Sequence, residues 1–177
     1  KENFKINRLL KPSKIVTMNM GFKNSKKISK TSYFNEKFGN YGFEDYEFGF
    51  RLIKLGFRLL PAYPSIIHLD ERSFEYYLNK IYFLATHATP KLIEVNLDAW
   101  KNISYYRIEK NKVVNFFKKK NFSTKIINII IKIILFLEKM PFLYLPKIYR
   151  FAILLSYCRG YYDRKSLKIH KNYDWYK

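Results

Sequence analysis

The 177-residue sequence predicts an α/β domain followed by a mostly helical tail. Three observations predict it. The run Lys14-Ile-Val-Thr-Met-Asn-Met-Gly-Phe-Lys23 has mostly extended-type residues, with Asn19 and Gly21 near its end, and reads as a strand. A helical pattern from Glu44 to Leu55 is followed by Phe57–His68, which reads as one or two short strands broken by Pro61 and Pro64. Near residue 100 the composition shifts, and apolar segments alternate with basic knots. With 48% hydrophobic and 19% aromatic residues, the chain can bury a core, so global disorder is excluded.

Each element has a local reason. Asn24–Ser32 is polar and lysine-rich, a loop or a short helix. Tyr33-Phe-Asn-Glu36 leads into a turn marked by Gly39 and Gly42. In the helix that follows, Phe48, Leu52 and Leu55 share a face, while Glu44, Asp45 and Glu47 occupy the first turn. Arg51 and Lys54 lie toward its end, and Gly56 is a natural terminator. Ser73–Thr86 has Phe74, Tyr77, Leu78, Ile81 and Leu84 at helical spacing. After the knot Lys118–Lys120, one apolar run spans Ile126 to Leu137. A second spans Ile148 to Tyr157 and ends at Arg159-Gly160. Neither reaches the roughly 20 residues that cross a bilayer. The pair reads as a helical hairpin lying in a membrane interface, or else as two buried helices packed on the preceding domain or a partner chain.

Charge is unevenly spread. The net charge is +20, yet residues 31–60 balance four bases against four acids, and 61–100 hold three bases against five acids. Residues 1–30 carry nine bases against one acid, and 101–177 carry eighteen against four. Basic blocks of this kind attract phosphate, whether on lipid headgroups, nucleic acid or a diphosphate. The excess of Lys, Ile, Asn, Phe and Tyr also fits AT-rich codons. The lone Cys158 excludes an internal disulfide, fits a reducing compartment and reads as a packed thiol. The chain opens on Lys1 rather than Met, and the expectation is the C-terminal part of something longer.

The candidate chemistry lies where Gly39, Gly42, Glu44 and Asp45 meet the start of a helix. Glycines allow close backbone approach to a ligand, and the helix start offers N–H groups and positive dipole. A carboxylate held there stays ionised, as a general base must. Acids at this position also serve simply as caps.

The segment Tyr41-Gly-Phe-Glu-Asp-Tyr-Glu-Phe-Gly-Phe-Arg-Leu52 resembles the acceptor-side motif of family 2 glycosyltransferases, Gly-x-Glu-Asp opening a helix. Asn19-Met-Gly-Phe-Lys23 is similar to the family's preceding strand, Tyr33-Phe-Asn-Glu36 to its Gly-Phe-Asp-Glu turn, and Ile66-Ile-His68 to its late strand ending in His. The resemblance covers about residues 14–90. It implies a partial GT-A (Rossmann-like) domain over residues 1–100, the C-terminal half of that fold, with 101–177 as a basic amphipathic helical region. It further implies Asp45 as the base, Glu44 as a residue orienting the acceptor, and Tyr41, Gly42 and Asn19 at the substrate. His68 would ligate a divalent metal, Mg or Mn. Asn35 stands where the family has Asp, and Tyr41 where many members have Trp. No Asp-x-Asp occurs in the chain, and the resemblance implies that the family's nucleotide-binding half lies outside these residues.

The implied activity is inverting transfer of a sugar from a nucleotide-sugar to a saccharide or lipid-linked saccharide. The missing half would be supplied in cis or in trans, and the 177 residues alone are expected not to turn over. The expected location is cytoplasmic, peripheral at the inner face of the membrane, with the membrane surface as a partner. Two other readings stand beside this one. One is a non-catalytic membrane-peripheral subunit. The other is a basic module for single-stranded nucleic acid, which the acidic centre and the core spacing of many aromatics argue against.

Overall fold

A computed structural model describes residues 9–12, 20–21, 33–39, 42–61, 73–111, 124–140 and 146–166. Its regular elements are all helical: a 3-10 turn at Glu36–Phe38, α1 (Glu44–Lys54), α2 (Phe74–Phe83), a π turn (Leu84–Ala88), α3 (Thr89–Val95), α4 (Leu97–Asn102), α5 (Ser104–Lys110), α6 (Thr124–Glu138) and α7 (Pro146–Ser166). The chain divides into two compact units. One comprises Lys1–Asp70 with Lys91–Ile103, the other Glu71–Pro90 with Ser104–Lys177.

The α/β expectation is overturned. Among the described residues there is no strand and hence no Rossmann-like sheet. Most of the expected strand 14–23 lies outside the described residues; Met20 and Gly21 are irregular. The second expected strand is described from Phe57 to Pro61, and its failure has a physical reason. Exposure alternates there, with Phe57 and Leu59 half-buried and Arg58 and Leu60 exposed, as a strand would have it. Phe57 and Leu59 spend that alternation on packing against Phe48 and Leu52 of α1. One backbone bond, Leu10 N–H to Leu59 O at 2.9 Å, ties this stretch to the segment before it. Pro61 has no N–H to extend a ladder.

In the first unit, α1 buries Tyr46, Glu47, Phe48, Gly49 and Leu52. Its end is a Schellman motif: Gly56 N–H donates to Ile53 O (2.9 Å) and Phe57 N–H to Leu52 O (3.0 Å). Gly56 has φ 87°, which suits glycine, and Phe57 closes the motif by packing on Leu52. Burying Phe48 and Leu52 stabilises this unit by about 1.5–3 kcal/mol each.

In the second unit, α2 opens on Ser73, whose Oγ accepts from Tyr76 N–H at 3.2 Å. The predicted helix ending at Thr86 instead continues through the π turn into α3. Pro90 supplies the cause, because it lacks an N–H and its ring crowds the carbonyl four residues back. The wider turn, in which Thr89 N–H reaches Leu84 O, is a form that helices use at such interruptions. Helix α7 is the core helix. It buries Ala152, Leu155, Ser156, Tyr157, Cys158, Gly160 and Tyr161 and runs past Gly160, where the sequence suggested an end. Leu78, Ile127, Ile131, Ile134, Ala152 and Leu155 form the core between α2, α6 and α7. No helix among the described residues is long and apolar enough to cross a membrane.

Candidate functional site at the start of α1

Gly42 and Phe43 both take positive φ, 127° and 68°, so the chain enters α1 through a tight left-handed turn. Glycine adopts this readily; phenylalanine does so at a cost of about 1–2 kcal/mol. No side chain caps the first turn at Phe43. Instead the Glu44 carboxylate folds back, and its Oε2 accepts from Gly42 N–H at 2.6 Å. Asp45, next in line, is half-buried.

Glu47 has a different task. It is 1% exposed, and Arg51 Nε donates to both of its carboxylate oxygens at 2.9 Å. Asn96 Nδ2 donates to Glu47 Oε1 at 3.2 Å, while Asn96 Oδ1 caps α4 by accepting from Ala99 N–H at 3.0 Å. One asparagine therefore satisfies a buried acid and starts a helix. Arg51 Nη2 also donates to Tyr33 O (3.0 Å), and its guanidinium lies 5.4 Å from the Phe48 ring centre. Tyr46 donates to Ala99 O at 3.0 Å, and burial raises its phenol above the ordinary value. At the surface, Lys54 Nζ lies 2.6 Å from Asp98 Oδ2 and holds that carboxyl below its usual range by hydrogen bond and charge.

Of the site residues expected from sequence, Gly42, Glu44 and Asp45 are brought together in one turn. Tyr41, Asn19 and His68 lie outside the described residues. Among the described residues, no group of three or more His, Cys, Asp and Glu side chains is arranged to hold a metal ion. His68, the residue expected to ligate Mg or Mn, is not among those residues.

Sequence reasoning missed a second polar cluster, in the other unit. The π turn buries Thr86, whose Oγ1 donates to the helix carbonyls of Tyr82 and Phe83 and lies 2.6 Å from His87 Nδ1. Burial lowers the His87 pKa, and its ring stacks on Phe83 at 4.7 Å. Thr89 Oγ1 donates to Leu84 O at 2.8 Å and lies 3.4 Å from Tyr157 Oη. Tyr157 donates to Glu109 Oε1 (2.9 Å), and Arg164 Nη2 to Glu109 Oε2 (3.1 Å). Burial, then the Glu109 charge, pushes the Tyr157 phenol well above its normal range and the neighbouring Cys158 thiol to about 11. The thiol is buried among Tyr161, Leu154 and Ile108, the packed environment that its apolar sequence context suggested. The one signal in the sequence was Pro90 inside a helical pattern, with Thr and His just before it.

Comparison of the chain with protein-family models, with curated proteins and with solved structures finds no match.

Proposed function

We propose that the Gly42–Asp45 turn serves glycosyl transfer, with Asp45 as the base that takes the proton from an acceptor hydroxyl. The acceptor oxygen attacks the anomeric carbon of a nucleotide-sugar, its O–H bond breaking toward an Asp45 carboxylate oxygen. The bond from that carbon to the diphosphate breaks with inversion, and the nucleoside diphosphate leaves with the electron pair.

The observation that carries this reading is the placement of Asp45, half-buried in the first turn of α1 just after the left-handed Gly42–Phe43 entry. Glu47 is consumed by Arg51 and Asn96, and Glu44 closes the turn on Gly42 N–H. Asp45 is half-buried between them, at the position that the resemblance gives to the base. The resemblance of Tyr41–Leu52 to the family 2 glycosyltransferase motif supplies the reaction class. No Asp-x-Asp occurs in the chain, so the nucleotide-sugar would be bound by a donor-binding half in cis or in trans. The acceptor is a saccharide, free or lipid-linked.

Two measurements test it. Saturation-transfer NMR of the chain against a saccharide panel should find an acceptor whose signals weaken when Gly42 is replaced by Ala. With the donor half supplied, Asp45→Asn should lower the transfer rate by about 10²- to 10⁴-fold at an unchanged melting temperature. Near-normal transfer by that variant would remove Asp45 from the role.

A further inference from the structure

Helix α6 has two apolar faces, and its own unit uses only one. Ile127, Ile131 and Ile134 are buried against the core. Ile126, Ile129, Ile133, Phe136 and, in the turn after the helix, Met140 are between 42% and 62% exposed. Their spacing of three or four residues makes them one continuous stripe rather than scattered surface residues. Lys125, Lys132 and Lys139 recur every seven residues, a spacing that drifts by only about 20° per repeat on a helix. They therefore form a row along one edge of the stripe, and all three are exposed. The single acid of the segment, Glu138, falls on the other side of the helical wheel, near the positions of Ile131 and Ile134.

We propose that this face of α6 docks the protein on an anionic lipid surface, the helix lying in the plane of the interface. Isoleucine, phenylalanine and methionine side chains would enter about 5–10 Å into the headgroup and acyl boundary. The lysine row would sit at headgroup level, its stems covering apolar surface while the ammonium groups meet phosphate. Charge selects lipid over a second copy of the chain. Antiparallel pairing of two such stripes would bring the lysine rows together, and any pairing would join two regions that each carry eighteen bases against four acids. Anionic headgroups neutralise the same row. The inference stands on α6 and does not depend on the sugar-transfer reading.

Co-sedimentation of the 177-residue chain with phosphatidylcholine vesicles, with and without phosphatidylserine, tests it. The chain should bind the anionic vesicles at least about tenfold more tightly, and added salt should erode the difference. The double variant Ile133→Ser with Phe136→Ser should lose about tenfold in binding with its far-ultraviolet circular dichroism unchanged. Lys132→Glu with Lys139→Glu should weaken binding to the anionic vesicles by a similar factor and leave the neutral ones unaffected. Leu97→Ser, at an exposed leucine of the other unit, should change nothing. Should the serine variants perturb folding, Phe136→Trp keeps the stripe apolar, and its added fluorescence should be quenched by brominated anionic lipid. Binding indifferent to Ile133 and Phe136 would overturn the proposal. So would a dimer in sedimentation equilibrium that the serine variant dissolves, since a second copy would then cover the stripe.

Discussion

Arg51 Nε lies 2.9 Å from both carboxylate oxygens of Glu47, one helical turn apart on α1 and closed in from solvent on the Glu47 side. Removing one partner strands the other, and for a buried pair the loss is about 3 kcal/mol or more. Glu47→Ala should therefore destabilise the fold by about 3 kcal/mol in urea titration. Combining it with Arg51→Ala should cost less than the sum, with at least about 1 kcal/mol of coupling. Additive single effects would show that the pair does not act as a unit.

The left-handed entry to α1 gives a second test. Gly42→Ala places a side chain at φ 127° and should cost about 1–3 kcal/mol, because that backbone region is strained for any residue with a Cβ. At Gly21 a Cβ would meet nothing within 4 Å, so Gly21→Ala should stay within about 0.5 kcal/mol of the parent. Equal melting temperatures for the two variants would contradict the turn as described.

Gly160 makes the opposite of a usual helix prediction. Replacing glycine by alanine inside a helix ordinarily gains about 1 kcal/mol. Here an added Cβ would lie 2.6 Å from Tyr82 O and 2.7 Å from Ala85 Cβ, with backbone as the obstacle. Gly160→Ala should instead lower stability by about 1–3 kcal/mol, as overpacking does. A stabilised variant would mean that α2 and α7 do not approach so closely.

His87 predicts a pH dependence. Its folded pKa lies below the ordinary 6.5, because burial disfavours the charged ring. Between the two values the unfolded chain binds more protons than the folded one, so protonation favours unfolding. The contribution is fully present above 6.5 and is lost as pH falls through the folded value. Stability measured from about pH 8 down to about pH 5 should decline, and His87→Gln should flatten part of that slope. An unaltered slope in the variant would remove His87 as its source.

Much of the local structure is legible in the residues themselves. Helix α1, its acidic start and its stop at Gly56 follow from spacing and glycine chemistry. Ser73 announces α2, and the two apolar runs after residue 120 do become helices. What failed was the reading of extended-type residues as strands. Alternation at Phe57–Pro61 is real, but a strand also needs a neighbouring backbone, and no local pattern says whether one is there. The candidate site was read in part: the Gly42–Asp45 turn was visible, whereas the fate of Glu47 depended on Asn96, forty-nine positions away.

The sequence by itself determined where α1 begins and ends, where α2 begins, and where acids, lysines and isoleucines fall along the helices, since each is set by neighbours within a turn or two. Tertiary structure alone decided which of three adjacent carboxylates is locked inside, which glycine is a contact surface rather than a stop, and which face of α6 is left in water. Those outcomes depend on packing between residues distant along the chain, whose pairing costs chain entropy and is settled only when the whole unit closes.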